Sequence, residues 1–330
     1  MSLFPVDYSS LSVKALLQLI VTRYSIDPDS SITFLKRGFN DTYLVESNTK
    51  KKNTTAKKFI LRVYKHNWRS SDSIEAELKL LIFLKENSVS VSFPISDKQS
   101  NYIQTIEAPE GLRYAILLSF AEGTPVRKLT VEQSHLLGIE TGKIHSLTKI
   151  KSFGTTAFNY DIETQFNITL AILKPLLIDH PKEYTYLQEL KNEFINVFTV
   201  ADKNELRTGI CHGDLQAENF HITPSNQFTF FDFDFFGTGY LAYDIGVFMW
   251  YDHKNKTPEI VNAFLQGYQT KEKLSATELK LLPYFSTLRA LFQMTLYCKI
   301  SDGKQLPLWP IQQVADFIKK VNKWKGVVSS

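Results

Sequence analysis

The segment from Gly209 to Asp234 constrains this chain more than any other. Short apolar runs at Gly209-Ile210-Cys211, Phe220-His221-Ile222 and Phe228 to Phe231 are separated by two polar stretches. The first is His212-Gly213-Asp214-Leu215-Gln216-Ala217-Glu218-Asn219, and the second contains Pro224-Ser225-Asn226. Runs of this length, bounded by turn-forming residues, predict strand, loop, strand, turn, strand. Such a hairpin can bring Asn219, which enters it, and Asp232, which leaves it, to one metal ion. A polar surface loop is the plain alternative, because a lone His-x-Asp is common. Six specified positions (His212, Asp214, Asn219, Asp232, Phe233, Asp234) argue against accident at roughly one in twenty each. Together they offer a carboxylate to receive a hydroxyl proton, and an amide and a second carboxylate to hold a divalent ion. Those are the requirements of phosphoryl transfer.

A chain of 330 residues is long enough for two domains. A hydrophobic share of 43% against 22% charged residues supports a substantial core in a soluble protein. The net charge of +4 is too slight to predict nucleic-acid binding, and favours at most an anionic cofactor such as a nucleotide. Lys50-Lys51-Lys52 and Lys57-Lys58 flank Asn53-Thr54-Thr55, a pattern that predicts a solvated hairpin tip. Two cysteines, Cys211 and Cys298, without metal-ligand spacing fit a reducing compartment. Residues 1–10 lack the charged and apolar regions of a signal peptide, and no apolar run reaches the 18 or more residues that predict a membrane span. The expectation is a cytoplasmic protein with no membrane or nucleic-acid partner, monomeric or homodimeric.

Periodicity divides the chain near Ala121 to Thr124. Before it, a helical stripe at Val13 to Tyr24 precedes strand patterns at Ser31 to Phe39, Asp41 to Glu46 and Lys58 to Tyr64. A helix over Ser73 to Lys85 follows, with caps at Ser70 to Ser73, and then strands at Tyr102 to Ile106 and Tyr114 to Phe120. After it, Val131 to Ser146, Ile162 to Ile178, Tyr184 to Val200, Pro258 to Tyr268, Ala276 to Ile300 and Ile311 to Trp324 carry helical patterning.

The interval from Asp214 to Asn219 is that of a kinase catalytic loop. With Phe231-Asp232-Phe233-Asp234 continuing to Tyr243-Asp244-Ile245-Gly246-Val247-Phe248, the chain resembles the aminoglycoside phosphotransferase and choline kinase superfamily. It is most similar to the branch of type II homoserine kinases and stress-response kinases. The resemblance implies an α+β, bilobal protein-kinase-like fold. Residues 1–122 would be a nucleotide-binding lobe of antiparallel sheet with one inserted helix. Residues 123–330 would be a mainly helical lobe with the catalytic loop and acceptor site.

It further implies ATP and Mg²⁺ as cofactors, Asp214 as the catalytic base, and Asn219 and Asp232 as metal ligands. A carboxylate with an ordinary pKa of about 4 is a weak base at neutral pH, so Asp214 orients the hydroxyl and takes its proton late. His212 and Asp244 are expected to brace the loop and His145 to be structural, while Asp234 is open between metal contact and turn capping. The turn Arg37-Gly38-Phe39-Asn40 occupies the phosphate-covering position, with Gly38 and Asn40 as contacts. Arg62 stands where many relatives place lysine, and its guanidinium can pair with phosphates bidentately. Lys58 and Lys65 are lesser candidates. Glu77 is its expected helix partner, with Glu75 as the fallback, and Phe120 is an adenine contact by position.

The expected partner is a small-molecule hydroxyl acceptor of the aminoglycoside, amino alcohol or homoserine class. Asp161, Tyr240, Trp250, Tyr251 and Asp252 are candidate walls. A protein Ser/Thr kinase is the alternative, opposed by the lack of an Ala-Pro-Glu segment after Asp234. A silent nucleotide binder is opposed by the presence of Asp214, Asn219 and Asp232 together.

Overall fold

The computed structural model describes residues 4–47, 57–156, 158–250, 257–300, 312 and 314–321. The lysine-rich tip at 50–55 therefore lies outside the described residues, as do Tyr251 and Asp252. Of the helix expected at 311–324, residues 312 and 314–321 are described and helical.

In chain order the elements are α1 (Val13–Arg23), β1 (Ser31–Arg37), β2 (Asn40–Ser47), β3 (Lys57–Tyr64), α2 (Ser71–Glu86), β4 (Pro94–Ile95), β5 (Ile103–Ala108), β6 (Gly111–Ser119) and β7 (Thr124–Pro125). They continue with α3 (Val131–Thr148), β8 (Phe158–Asn159), α4 (Ile162–Leu176), α5 (Pro181–Val200), β9 (Thr208–Cys211), β10 (Phe220–Ile222), β11 (Phe228–Phe230), β12 (Gly237–Tyr240), α6 (Ala242–Trp250), α7 (Pro258–Tyr268) and α8 (Ala276–Ile300). The chain divides into two compact units. One comprises Met1–Pro125, Phe153–Ala157 and Phe220–Phe231, and the other comprises Val126–Ser152, Phe158–Asn219 and Asp232–Ser330.

In the first unit an antiparallel sheet runs β1-β2-β3-β6-β4, with β5 also paired to β6. Side chains alternate across a strand, so Leu61 and Val63 join Tyr43, Val45, Ala115 and Leu117 on one face, packed with Leu16 and Ile20 of α1 and with Tyr24 just after it. Arg62 therefore points to the opposite face, where α2 supplies its partner. Ser70 caps α2 by accepting from the Ser73 N–H. The β10–β11 hairpin pairs Phe220 with Phe230 and joins β7 through His221 and Ile222. Its outer strand is stitched to residues 90–92: Phe230 N–H donates to Ser90 O at 2.9 Å, and Ser92 N–H donates to Phe230 O at 2.8 Å.

A buried ion pair organises the turn end of this sheet. Arg113 and Asp41 are both fully buried, and Nη2 of Arg113 lies 3.0 Å from Oδ2 of Asp41. Arg113 also donates to Tyr64 O at 2.8 Å and Ser9 O at 3.2 Å, and Tyr8 donates its hydroxyl to Asp41. Arg37 lies over the Tyr8 ring at 4.5 Å and donates to Ser10 Oγ at 2.6 Å. The segment before α1 is thereby pinned to β1 and β2.

In the second unit β12 runs antiparallel to β9 and parallel to β8. The strand before the loop and the strand after it thus belong to different sheets. Sequence pattern marks no helix over 242–250, because all but Met249 of these nine residues are buried and no polar stripe exists to read. The start of α8 is tied down by Arg207, which reaches Glu272 and Glu278 at 2.7 Å each. Among the described residues no helix is long and apolar enough to cross a membrane.

Removing Arg113 takes from Asp41 its fully buried partner and leaves it the half-exposed Arg37, 3.4 Å away, and the Tyr8 hydroxyl. Arg113→Met should lower the unfolding free energy by about 3–5 kcal/mol. The reading is a lower denaturant midpoint at unchanged slope; an unmoved midpoint contradicts this account.

Candidate active site

The loop after β9 is shaped by contacts its own sequence specifies. Gly213 has φ +79°, and a Cβ built there would lie 2.1 Å from Phe235 O, so only glycine fits. Asp214 follows, buried, with its N–H donating to Nδ1 of His212 at 3.3 Å. The His212 ring also packs on Phe233 at 4.2 Å between centroids. His212 acts here as a loop brace.

Asp244, on α6, supplies the second brace. Its Oδ2 accepts from His212 N–H at 2.7 Å and from His145 Nε2 at 3.0 Å, and its Oδ1 accepts from Gly213 N–H at 2.8 Å. His145 donates from Nε2 to Asp244, and its Nδ1 lies 2.9 Å from the Tyr268 hydroxyl. Burial pushes the Asp244 carboxyl up. The His145 hydrogen bond, the fields of His145 and His212 and the Gly213 N–H outweigh it, and hold the group below the usual carboxylate range. Burial pushes the Cys211 thiol well up, so this buried sulfur is no nucleophile.

Asp214 and Asn219 form one hydrogen-bonded unit. Asn219 Nδ2 donates to Asp214 Oδ2 at 2.6 Å and to Asp214 O at 2.9 Å, and Gln216 Nε2 donates to Oδ2 at 2.9 Å. Both amide hydrogens of Asn219 are thus committed to oxygens, which settles the flip of its amide and turns its Oδ1 away from Asp214. On the other side of the carboxylate, Arg289 of α8 reaches Oδ1 at 2.5 Å.

The residues fit a hard divalent cation by their donor chemistry. An amide oxygen from Asn219 and a carboxylate from Asp232 are the oxygen donors that Mg²⁺ takes, with phosphate oxygens and water completing the shell. Phe220 and Phe230 oppose each other in the ladder, so Asn219 and Asp232 flank the same end of the hairpin. Asp232 holds φ 63° and ψ 57°, a left-handed conformation costing on the order of 1 kcal/mol for a residue with a side chain. Strain of this kind concentrates at functional sites. Asp234 lies buried in the one-turn 3-10 helix Phe233–Phe235.

In the first unit, Arg62 Nη1 lies 3.1 Å from Glu77 Oε1. Glu77 is fully buried, and its Oε2 is held by Arg69 Nη1 at 3.1 Å. Glu75 instead pairs with Lys79 on the exposed face of α2 at 2.8 Å. Asn40 lies opposite Tyr64 and Thr42 opposite Arg62, so Asn40 and Arg62 share a face of the sheet. Gly38 sits in the exposed turn between β1 and β2, and the adjoining Phe39 stacks on Trp68 at 4.5 Å. Phe120 follows β6 with Lys58 5.6 Å above its ring, while Lys65 lies 5.7 Å from the Tyr8 ring. His221 Nδ1 donates to Ala121 O at 2.8 Å.

Each unit therefore assembles its own group: Arg62 with Glu77, and Asp214 with Asn219. Of the candidate walls, Asp161 caps α4 by accepting from Thr164 N–H at 2.9 Å, and Trp250 donates to Gln293 at 3.0 Å. Asp161 and Tyr240 also border a surface hollow of about 330 Å³ with Lys151 and Thr208. Arg289 and Arg69 carry no local signal in the sequence. Gln216 lies within the loop, yet its type alone does not announce its contact.

The loop pairs a carboxylate with an oxygen-presenting amide and is followed by a left-handed aspartate, on an α+β, protein-kinase-like fold. The chain belongs to the phosphotransferase enzyme family, whose profile matches residues 31–279. It is 31% identical over 279 residues to an uncharacterised protein of Synechocystis sp., a match covering 83% of this chain and 75% of that protein. It is 24% identical over 298 residues to homoserine kinase of Sinorhizobium fredii, covering 87% and 86% respectively. Among solved structures, amicoumacin kinase hAmiN in complex with AMP-PNP, Ca²⁺ and Ami has the same fold, with a TM-score of 0.70 at 21% identity over 94% of this chain and 93% of that one.

Asp244 makes a prediction with a definite sign. Its depressed pKa contributes stability that is present above the unfolded value of about 3.9 and lost as pH falls through the folded value. Asp244→Asn turns an amide N–H₂ toward a backbone donor and should cost about 3 kcal/mol at neutral pH. Unfolding measured at pH 7 and pH 3 should show the gap between variant and wild type narrowing in acid; a constant gap contradicts the assignment.

Proposed function

We propose that this enzyme transfers the terminal phosphoryl group of ATP to a hydroxyl of a small molecule of the aminoglycoside, amino alcohol or homoserine class. The observation that carries the proposal is the Asp214–Asn219 unit, in which proton acceptor and metal donor are held by one another at 2.6 Å. Asp214 orients the acceptor hydroxyl and receives its proton late, as the oxygen–phosphorus bond forms and the bond to the bridging oxygen breaks. Asn219, through Oδ1, and Asp232 would hold Mg²⁺, which would supply neutralisation of charge on the phosphate oxygens.

Arg62, fixed by Glu77, pairs with phosphate oxygens. The turn at Gly38 and Asn40 covers them, and Phe120 lies against the adenine. Residues 1–122 thus serve the nucleotide, and residues 123–330 carry the catalytic loop and the acceptor site. The acceptor class draws support from the relatives' names, a homoserine kinase and an amicoumacin kinase. Homoserine carries both an amine and a hydroxyl.

A screen of ATP consumption over homoserine, amino alcohols, aminoglycosides and sugars should give turnover with at least one amine-bearing alcohol. Asp214→Asn should then lower kcat by about 10²–10⁴-fold while calorimetric ATP affinity stays within about threefold. Wild-type protein that binds ATP but consumes none with any acceptor sinks the proposal. The Gly38 turn is tested separately. A Cβ there would meet only Asn40 O, at 4.0 Å, so Gly38→Ala should fold as the wild type does. If the turn covers phosphates, KM for ATP rises about three- to tenfold; an unchanged KM removes it from the site.

A further inference from the structure

Asp214 is the group whose orientation decides whether a hydroxyl can hand over its proton, and its surroundings are unusually full. A carboxylate offers about four lone-pair directions. Oδ2 spends two on Asn219 and Gln216, and Oδ1 spends one on Arg289. One direction therefore remains, on Oδ1.

Arg289 is what selects it. The side chain is 2% exposed, on α8, and its guanidinium spans two consecutive residues of the loop. Nη1 donates to Gly213 O at 3.1 Å, and Nη2 donates to Asp214 Oδ1 at 2.5 Å. The planar group lies 5.4 Å from the Phe292 ring and 6.0 Å from the Phe235 ring. Those two rings meet edge to face at 5.7 Å, so the fork sits against a rigid wall. Lysine could not reproduce this, because an ammonium is a single point charge without the two-pronged geometry.

We propose that Arg289 is a positioning residue for phosphoryl transfer, locking Asp214 so that its one uncommitted lone pair, on Oδ1, takes the acceptor hydroxyl's proton. This rests on the reading of Asp214 as the proton acceptor. Arg289 itself touches neither nucleotide nor acceptor. It acts through Asp214.

The kinetic test is Arg289→Lys, which keeps the charge and loses the fork. It should lower kcat by about 10²-fold, the cost of a misplaced reacting group. KM for ATP should stay within about threefold. Added guanidinium chloride at millimolar concentration should restore part of kcat to Arg289→Gly and none to Asp214→Asn. A fully active Arg289→Lys, or a variant whose loss appears in KM alone, overturns the proposal.

The second test needs no variant to fold and no acceptor to be known. A crystal structure of the wild-type enzyme with Mg²⁺ and a non-hydrolysable ATP analogue should keep Arg289 Nη2 hydrogen-bonded to Oδ1 of Asp214. Separation of the two in that complex overturns the proposal whether or not turnover has been found. Inactivity of the wild type with every acceptor counts against the function reading instead.

Discussion

One buried carboxylate sets the frame on which the loop after β9 depends. Asp244 gathers a side chain from α3 and two consecutive backbone N–H groups from the loop after β9. Buried N–H groups without partners are costly, so the peptide at His212 and Gly213 has one inexpensive position. That position is fixed by α6, and α6 in turn packs its apolar residues against α8. Arg289 comes from the same α8 and grips the next residue along. The helical core thus reaches the loop by two routes, through Asp244 behind it and through Arg289, which holds the Asp214 carboxylate.

Much of this was legible in the residues alone, and the parts that were not share a cause. Strands β1, β2, β3, β5 and β6 show themselves because one face is apolar and the turns between them are polar. The choice between Glu77 and Glu75 is likewise local: Glu77 lies beside the core residue Leu78, whereas Glu75 shares an exposed face with Lys79. Helix α6 defeats periodicity because burial on nearly every side erases the stripe. β7 and β8, two residues each, exist only as partners of other strands. Arg289 lies 75 positions from the carboxylate it holds, a contact made by helix packing that no window of sequence contains.

Arginine recurs wherever two acceptors must be bridged at once. Arg113 spans Asp41 and three carbonyls, Arg207 spans Glu272 and Glu278, and Arg289 spans Gly213 O and Asp214. Glu77 inverts the pattern, one carboxylate shared by Arg62 and Arg69. In each case the planar fork fixes an angle as well as a distance, which a flexible ammonium does not. The enzyme's rigid points are therefore made of charge geometry as much as of apolar packing.

The β10–β11 hairpin belongs to the first unit, although it is encoded nearly a hundred residues after β7, the strand it pairs with. On a ribosome elongating at about 5–20 residues per second, the nascent sheet waits roughly 5–20 seconds for its last strands. Until then β7 and the segment at 90–92 lack the backbone partners they have in the finished protein. Vectorial synthesis therefore leaves the earliest-made unit unfinished until nearly half of the other has been translated.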